Sequence, residues 1–292
     1  VVPDAFFGLS CGVEYNLHLA CDTGNPASFC RGACVNTSSC TCDDATLQTD
    51  CAAADEAFYV ATTCCDLGCV PPGQTYASLN MQLLSRVPLD QFPSNSFQAN
   101  DVWGFTSPRG RKYAVLGLSR GTGFVDITYP RNPVVVADIA DTSSTWSDIR
   151  VYWPYAYNVT DFDGGLQVID VSRIDPPSRT VKLVGVFTEQ GLTRSHTLAL
   201  DPDSGFLYLN GSDLNNGALV AVDLADPANP HIAGQALDPI RVHDSQVVTY
   251  SSGPYSGRQI AFCCDGGAGL RILDVTDKSN MFELSALRYP TI

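Results

Sequence analysis

The sequence predicts an all-β protein: a β-propeller-like body of about four to five blades, preceded by a small disulfide-rich N-terminal domain. Three observations predict it. Short runs of β-branched, aromatic and aliphatic residues are separated by Gly, Pro, Asn and Asp. Two sequence registers recur at intervals typical of propeller blades. Ten of the twelve cysteines crowd into residues 11–69.

The N-terminal segment is poor in long apolar side chains, so it cannot bury much core and needs covalent staples. Its cysteines are Cys11, Cys21, Cys30, Cys34, Cys40, Cys42, Cys51, Cys64, Cys65 and Cys69. Their spacing lacks the paired CxxC knuckles of a zinc site, and density of this kind reads as a disulfide framework in an oxidising compartment. Cys263 and Cys264 are also counted as disulfide cysteines; ten head cysteines allow either an isolated head framework or a tie between head and body, and spacing does not fix the pairing. The run Val70-Pro71-Pro72-Gly73 marks the boundary, giving a head over 1–72 and a body over 73–292.

In the body, the third strand of each unit aligns at Gly123–Thr128 (GFVDIT), Leu166–Ser172 (LQVIDVS), Leu219–Ala225 (LVAVDLA) and Leu270–Thr276 (LRILDVT). Asp126, Asp170, Asp223 and Asp274 close these runs and are expected to cap the turn that follows. A second register agrees: Asp101, Asp148, His196 and Asp244 open strands at steps of 47, 48 and 48 residues. Four strands per unit can be read in the second repeat: Asp148–Tyr152 innermost, then Tyr155–Thr160, Leu166–Val171 and Thr180–Val186. The third strand is apolar almost throughout, as a strand packed on both faces must be. Helical periodicity is weak, so helix should be scarce.

The pattern G-L-x-[IV]-x-D-[VIL]-[ST] followed by a proline turn resembles the LVIVD repeat. Leu83–Asp90 (LLSRVPLD), Asp101–Gly104 (DVWG), Tyr113–Ser119 (YAVLGLS), Phe124–Thr128 (FVDIT), Ser195–Thr197 (SHT) and Val242–Asp244 (VHD) are similar to the repeat region of the choice-of-anchor B proteins. The resemblance covers about residues 75–290. It implies an extracellular or surface-attached propeller and brings no catalytic residues. Four full units are expected, the last ending with an outer strand that carries Phe282, Leu284 and Leu287. Met81, Leu83, Val87 and Leu89 are expected on one more outer strand without inner strands of its own. Residues absent from this sequence, compact closure or a neighbouring molecule would each complete that blade.

Charge and motifs narrow the function classes. With 31 acidic against 17 basic residues, the formal charge of −14 disfavours nucleic acid and anionic lipid. No apolar run is long enough to span a membrane, and the start at Val1-Val2-Pro3 is expected to follow removal of a signal peptide. Sequons at Asn36, Asn158 and Asn210 predict N-linked glycans. Gly117–Gly121 (GLSRG) matches a hydrolase elbow, but that motif needs a following helix and here a strand follows. Asp101, Asp148, His196, His243 and Asp244 would ring the channel, and the favoured role is structural: fixing strand ends of the next blade. The alternative is a carboxylate and imidazole cation site. Asp161, Asp163 and Asp265 sit in Asp/Gly turns that could hold Ca²⁺ or simply turn the chain. These features favour an extracellular structural or interaction protein, not an enzyme, that self-assembles into a surface layer or filament. Its partners would be copies of itself or other extracellular proteins. A calcium-dependent or glycan-binding adhesion module and a metal-dependent hydrolase-type propeller are the alternatives.

Overall fold

A computed structural model describes strands at residues 31–36, 41–47 and 56–60, and the chain over 83–238, 240–265 and 269–288. Two compact units emerge. One is Val1–Pro88 with Ile127–Val134; the other is Leu89–Asp126 with Val135–Ile292. In the first unit, β1 (Arg31–Asn36), β2 (Thr41–Leu47) and β3 (Glu56–Val60) form an antiparallel sheet with β1 in the middle.

Four four-stranded antiparallel sheets follow, each laid down in chain order. The first contains β4 (Ala99–Thr106), β5 (Lys112–Leu118), β6 (Gly121–Asp126) and β7 (Val134–Ala140). The second contains β8 (Ser147–Tyr152), β9 (Tyr155–Thr160), β10 (Leu166–Arg173) and β11 (Thr180–Phe187). The third contains β12 (Thr197–Asp201), β13 (Phe206–Asn210), β14 (Val220–Asp223) and β15 (His231–Gln235). The fourth contains β16 (Val242–Thr249), β17 (Gln259–Asp265), β18 (Gly269–Asp274) and β19 (Phe282–Arg288). These are the four expected units. The only helices among the described residues are single 3₁₀ turns, such as Lys278–Asn280.

The side-chain alternation of a strand explains how the sheets stack. On β10, Leu166 and Val168 enter the core shared with the third sheet, whereas Ile169 and Val171 enter the core shared with the first. On β13, Leu207 and Leu209 face the second sheet, and Tyr208 faces the fourth. A central blade therefore buries both faces, which is why its sequence reads as continuous apolar residue rather than alternation. The seams are tight. A Cβ added at Gly117 would lie 2.6 Å from the Ser147 carbonyl oxygen of the next blade. One added at Gly234 on β15 would collide with the Lys278 carbonyl.

The inner strands meet in series: β4 against β8, β8 against β12 and β12 against β16. Among the described residues no comparable seam joins β16 to β4.

Among the described residues one expected strand is absent. Of Met81–Leu89, Met81 lies outside the described residues, and Leu83 to Pro88 run as irregular chain into a 3₁₀ turn at Leu89–Gln91. Pro88 has no amide to donate to a ladder, which keeps it out of the interior of a sheet. Leu83 is exposed, and Val87 and Leu89 are half-buried.

Leu209→Ala is expected to cost about 2–4 kcal/mol, because Leu209 is fully buried and the seam cannot collapse around the lost volume. Val184→Ala on the exposed outer strand β11 should change stability by less than about 0.5 kcal/mol. Denaturant unfolding of the two variants checks the contrast.

Candidate functional site

The polar residues that open the inner strands lie at the seams between blades. Asp101 on β4 accepts hydrogen bonds from the Ile149 amide at 3.1 Å and from Arg150 at 3.3 Å. Asp148 on β8 repeats the device one blade on, accepting from the Leu198 amide at 2.5 Å. It also accepts from Arg150 at 2.7 Å. The guanidinium of Arg150 thus sits between the two carboxylates and lies over the Trp103 ring, 4.6 Å from its centroid. The structural role expected for Asp101 and Asp148 is the one the geometry displays.

Burial, reinforced by the Asp101 carboxylate, pushes the Asp148 carboxyl well above its usual range. Burial also opposes ionisation of Asp101. It is outweighed by hydrogen bonds from Asp148 and the Ile149 amide and by the charge of Arg150, so the Asp101 pKa falls. The pair is asymmetric: burial pushes one carboxyl up, while hydrogen bonds and the charge of Arg150 hold the other down.

The third and fourth blades use different chemistry. His196 stands just ahead of β12 and His243 on β16, and their Nε2 atoms are 2.9 Å apart. Asp161, from the β9–β10 turn, accepts the Nδ1–H of His196 at 3.0 Å. The edge of Trp146 lies against the His196 ring, with centroids 6.4 Å apart. Thr197 donates to the His243 carbonyl at 2.8 Å. Asp244 is exposed and accepts from the amide of its neighbour Ser245 at 2.7 Å. The ring foreseen in the sequence therefore resolves into an aspartate pair at one seam and a histidine pair at another.

Further polar locks were not legible in the sequence. Tyrosine hydroxyls on three second strands reach the next blade. Tyr113 donates to Asp175 at 2.8 Å, Tyr157 to the Pro227 carbonyl at 2.7 Å and Tyr208 to Gln259 at 2.7 Å. Gln259 in turn donates to Asp201 and accepts from Lys278. Nothing in the local pattern distinguishes these residues from ordinary strand residues; only the neighbouring blade does. The strand-three aspartates do cap turns: Asp170, Asp223 and Asp274 accept from amides two residues on, at 2.7–3.0 Å.

Several expectations are corrected. The sequon residues Asn158 and Asn210 are completely buried, so neither can carry a glycan. The Asn158 amide donates to Asp141 and accepts from Ser147, each at 2.7 Å. The Asn210 carbonyl accepts from Ser245 of the fourth blade at 2.8 Å. A sequon reports three residue types and is blind to which side of a strand they face. Asn36 ends β1, and its side chain lies outside the described residues. Among the described residues Cys263 and Cys264 are free thiols, bonded neither to each other nor to another described cysteine. Adjacent on β17, they point to opposite faces, and burial, with Cys264 beside it, pushes the Cys263 thiol up to about 12, which leaves it unreactive. The side chains of the other ten cysteines lie outside the described residues.

Of the calcium candidates, Asp161 is engaged by His196, Asp163 is exposed in its turn, and Asp265 ends β17. Among the described residues no three His, Cys, Asp or Glu side chains are placed to ligate one metal ion together. Ser119 of the hydrolase-like motif is in the β5–β6 hairpin and accepts from the Phe97 amide at 3.0 Å.

Two measurements test this seam. Asp148→Ala leaves buried amides and Arg150 without their acceptor and should cost about 3 kcal/mol. Asp148→Asn keeps one acceptor and should lose less. Asp141 is raised by burial to about 6 from the usual 3.8. With its folded pKa above its unfolded one, its favourable contribution is full below about 3.8 and is lost as pH rises through about 6. The window is worth roughly 3 kcal/mol. NMR titration of the carboxyl carbon and the pH dependence of unfolding, with Asp141→Asn for comparison, read it directly.

A family model described as the LVIVD repeat matches residues 145–182 and 259–288. These spans cover β8–β10 with the start of β11, and β17–β19. No curated protein matches the chain. Among solved structures, a Kuenenia stuttgartiensis hydrazine synthase is similar with 13% identity and a TM-score of 0.41, over 68% of this chain and 53% of that one. A Lactobacillus plantarum protein gives 14% identity and a TM-score of 0.42, over 65% and 52%. An auxiliary nutrient binding protein from Bacteroides thetaiotaomicron gives 11% identity and a TM-score of 0.41, over 62% and 46%. The chain spans about half the length of these proteins. No helix of the described residues is long and apolar enough to cross a membrane. Residues 145–182 and 259–288 thus match the LVIVD repeat within two of the four four-stranded antiparallel sheets of a propeller-like all-β fold.

Proposed function

We propose that this is an extracellular structural or interaction protein that assembles with copies of itself through the outer edges of its blades and its cysteine-rich head. One observation carries the reading. The outer strands β11 and β19 end their sheets yet expose large apolar side chains: Leu183, Val184 and Val186 on the first, Phe282 and Leu287 on the second. An apolar sheet edge is a template for strand addition unless something covers it. The edge at β15 differs. There Glu189 accepts from the Ile232 amide at 3.0 Å and the Lys278–Asn280 turn packs alongside. The extracellular part rests on the density of cysteines in the head and on the sequon at Asn36.

A second reading, a glycan- or calcium-binding adhesion module, draws on the exposed rings of Trp146 and Phe162. They flank the Asp161–His196 contact, and exposed aromatic rings beside hydrogen-bonding groups suit sugar faces. Binding to a glycan array that is lost in Trp146→Ala would favour this reading over self-assembly.

Light scattering and electron microscopy of the purified full chain test the main proposal. Particles larger than one chain are expected, and Val184→Asp or Leu287→Asp should shift them toward monomer without changing unfolding stability by more than about 0.5 kcal/mol. A strictly monomeric wild-type protein across the accessible concentration range overturns it.

A further inference from the structure

We propose that His196 and His243 form a binding site for a divalent transition-metal ion of the zinc type, tying the third blade to the fourth. The two rings come from adjacent blades and present Nε2 to Nε2 at 2.9 Å. Asp161 accepts the Nδ1–H of His196 at 3.0 Å, which leaves the Nε2 lone pair of His196 aimed at His243. A carboxylate behind the far ring nitrogen is the usual outer partner of a metal-bound histidine. It fixes the tautomer and raises the basicity of the ligating nitrogen.

The distance fits coordination. With metal–nitrogen bonds of about 2.0–2.1 Å, nitrogens 2.9 Å apart subtend about 90° at the ion. Opening the pair to about 3.3 Å gives a tetrahedral angle with the same bond lengths. Without metal, the proton between the rings resides on His243 Nε2 and is donated to His196. With metal, His243 carries that proton on Nδ1 instead, and both Nε2 lone pairs reach the ion. His243 is exposed, so ion and water have access.

The donor set also selects the ion. Two imidazole nitrogens suit zinc, copper or nickel, whereas calcium wants six to eight oxygens. Asp161, one of the residues that suggested calcium, here serves the imidazole rather than the cation. The protein supplies two ligands and water completes the shell, which keeps the ion exchangeable.

Zinc titration of the full chain by calorimetry, repeated on His243→Gln and Asp161→Asn, decides the matter. The wild type should bind one zinc ion more than His243→Gln, and any ions held elsewhere cancel in that difference. Asp161→Asn should keep the stoichiometry and weaken this ion about tenfold or more. Zinc should raise the Tm of the wild type but not that of His243→Gln. His231→Gln, outside the pair, should behave as wild type. Equal stoichiometry and equal Tm response in the wild type and His243→Gln overturn the proposal and leave the pair a simple hydrogen bond. If His243→Gln does not fold, electron paramagnetic resonance of the Cu²⁺-loaded wild-type chain takes its place. Hyperfine coupling to two imidazoles supports the site, and coupling to one or none overturns it.

Discussion

A sheet that is apolar on both faces is stable only between two others, and the rest of this molecule follows from that constraint. Leu166 and Val168 on one side of β10, and Ile169 and Val171 on the other, serve two different cores. Leu207 and Leu209 oppose Tyr208 on β13 in the same way. Removing such area from water contributes roughly 25 cal/mol per Å², and neither face is complete without its neighbouring blade. Stability in the body is therefore a property of seams more than of single blades, as in other repeat proteins.

Apolar burial sets the stacking but says little about register, because one aliphatic contact substitutes readily for another. The polar groups supply the register. Asp101 and Asp148 each accept from a backbone amide of the following inner strand, and the tyrosine hydroxyls of Tyr113, Tyr157 and Tyr208 do similar work along the second strands. A buried carboxylate left unpaired is costly, so a misaligned blade is penalised at every such position. The same logic accounts for Asn158 and Asn210. Their amides are consumed by seam bonds, and a group fully committed inside the protein is not offered to solvent.

The seams are not chemically uniform. An arginine bridges two carboxylates between the first and second blades, whereas two imidazoles meet between the third and fourth. Imidazole pairs can exchange their shared proton for an ion in a way that a buried aspartate–arginine cluster cannot. The outer edges differ as well. β15 is covered by its neighbours, whereas β11 and β19 present exposed apolar side chains to solvent.

The sequence by itself determined the all-β class, the four units and the position of nearly every body strand. Each rests on a local period or turn residue, and the 47- to 48-residue recurrence repeats that local signal four times. It also identified Asp101, Asp148, His196 and Asp244 as special, because their spacing matched the repeat, with His243 beside the last of them. It erred where the answer depends on what a neighbouring blade covers. Asn158 and Asn210 carry acceptor motifs yet face inward, Cys263 and Cys264 sit side by side yet on opposite faces, and the segment around Pro88 has strand-like residues without strand pairing. Only the tertiary structure decided which polar residues meet, since His196, His243 and Asp161 lie on three separate elements. Their contact is set by how the blades pack, and no local pattern encodes that distance.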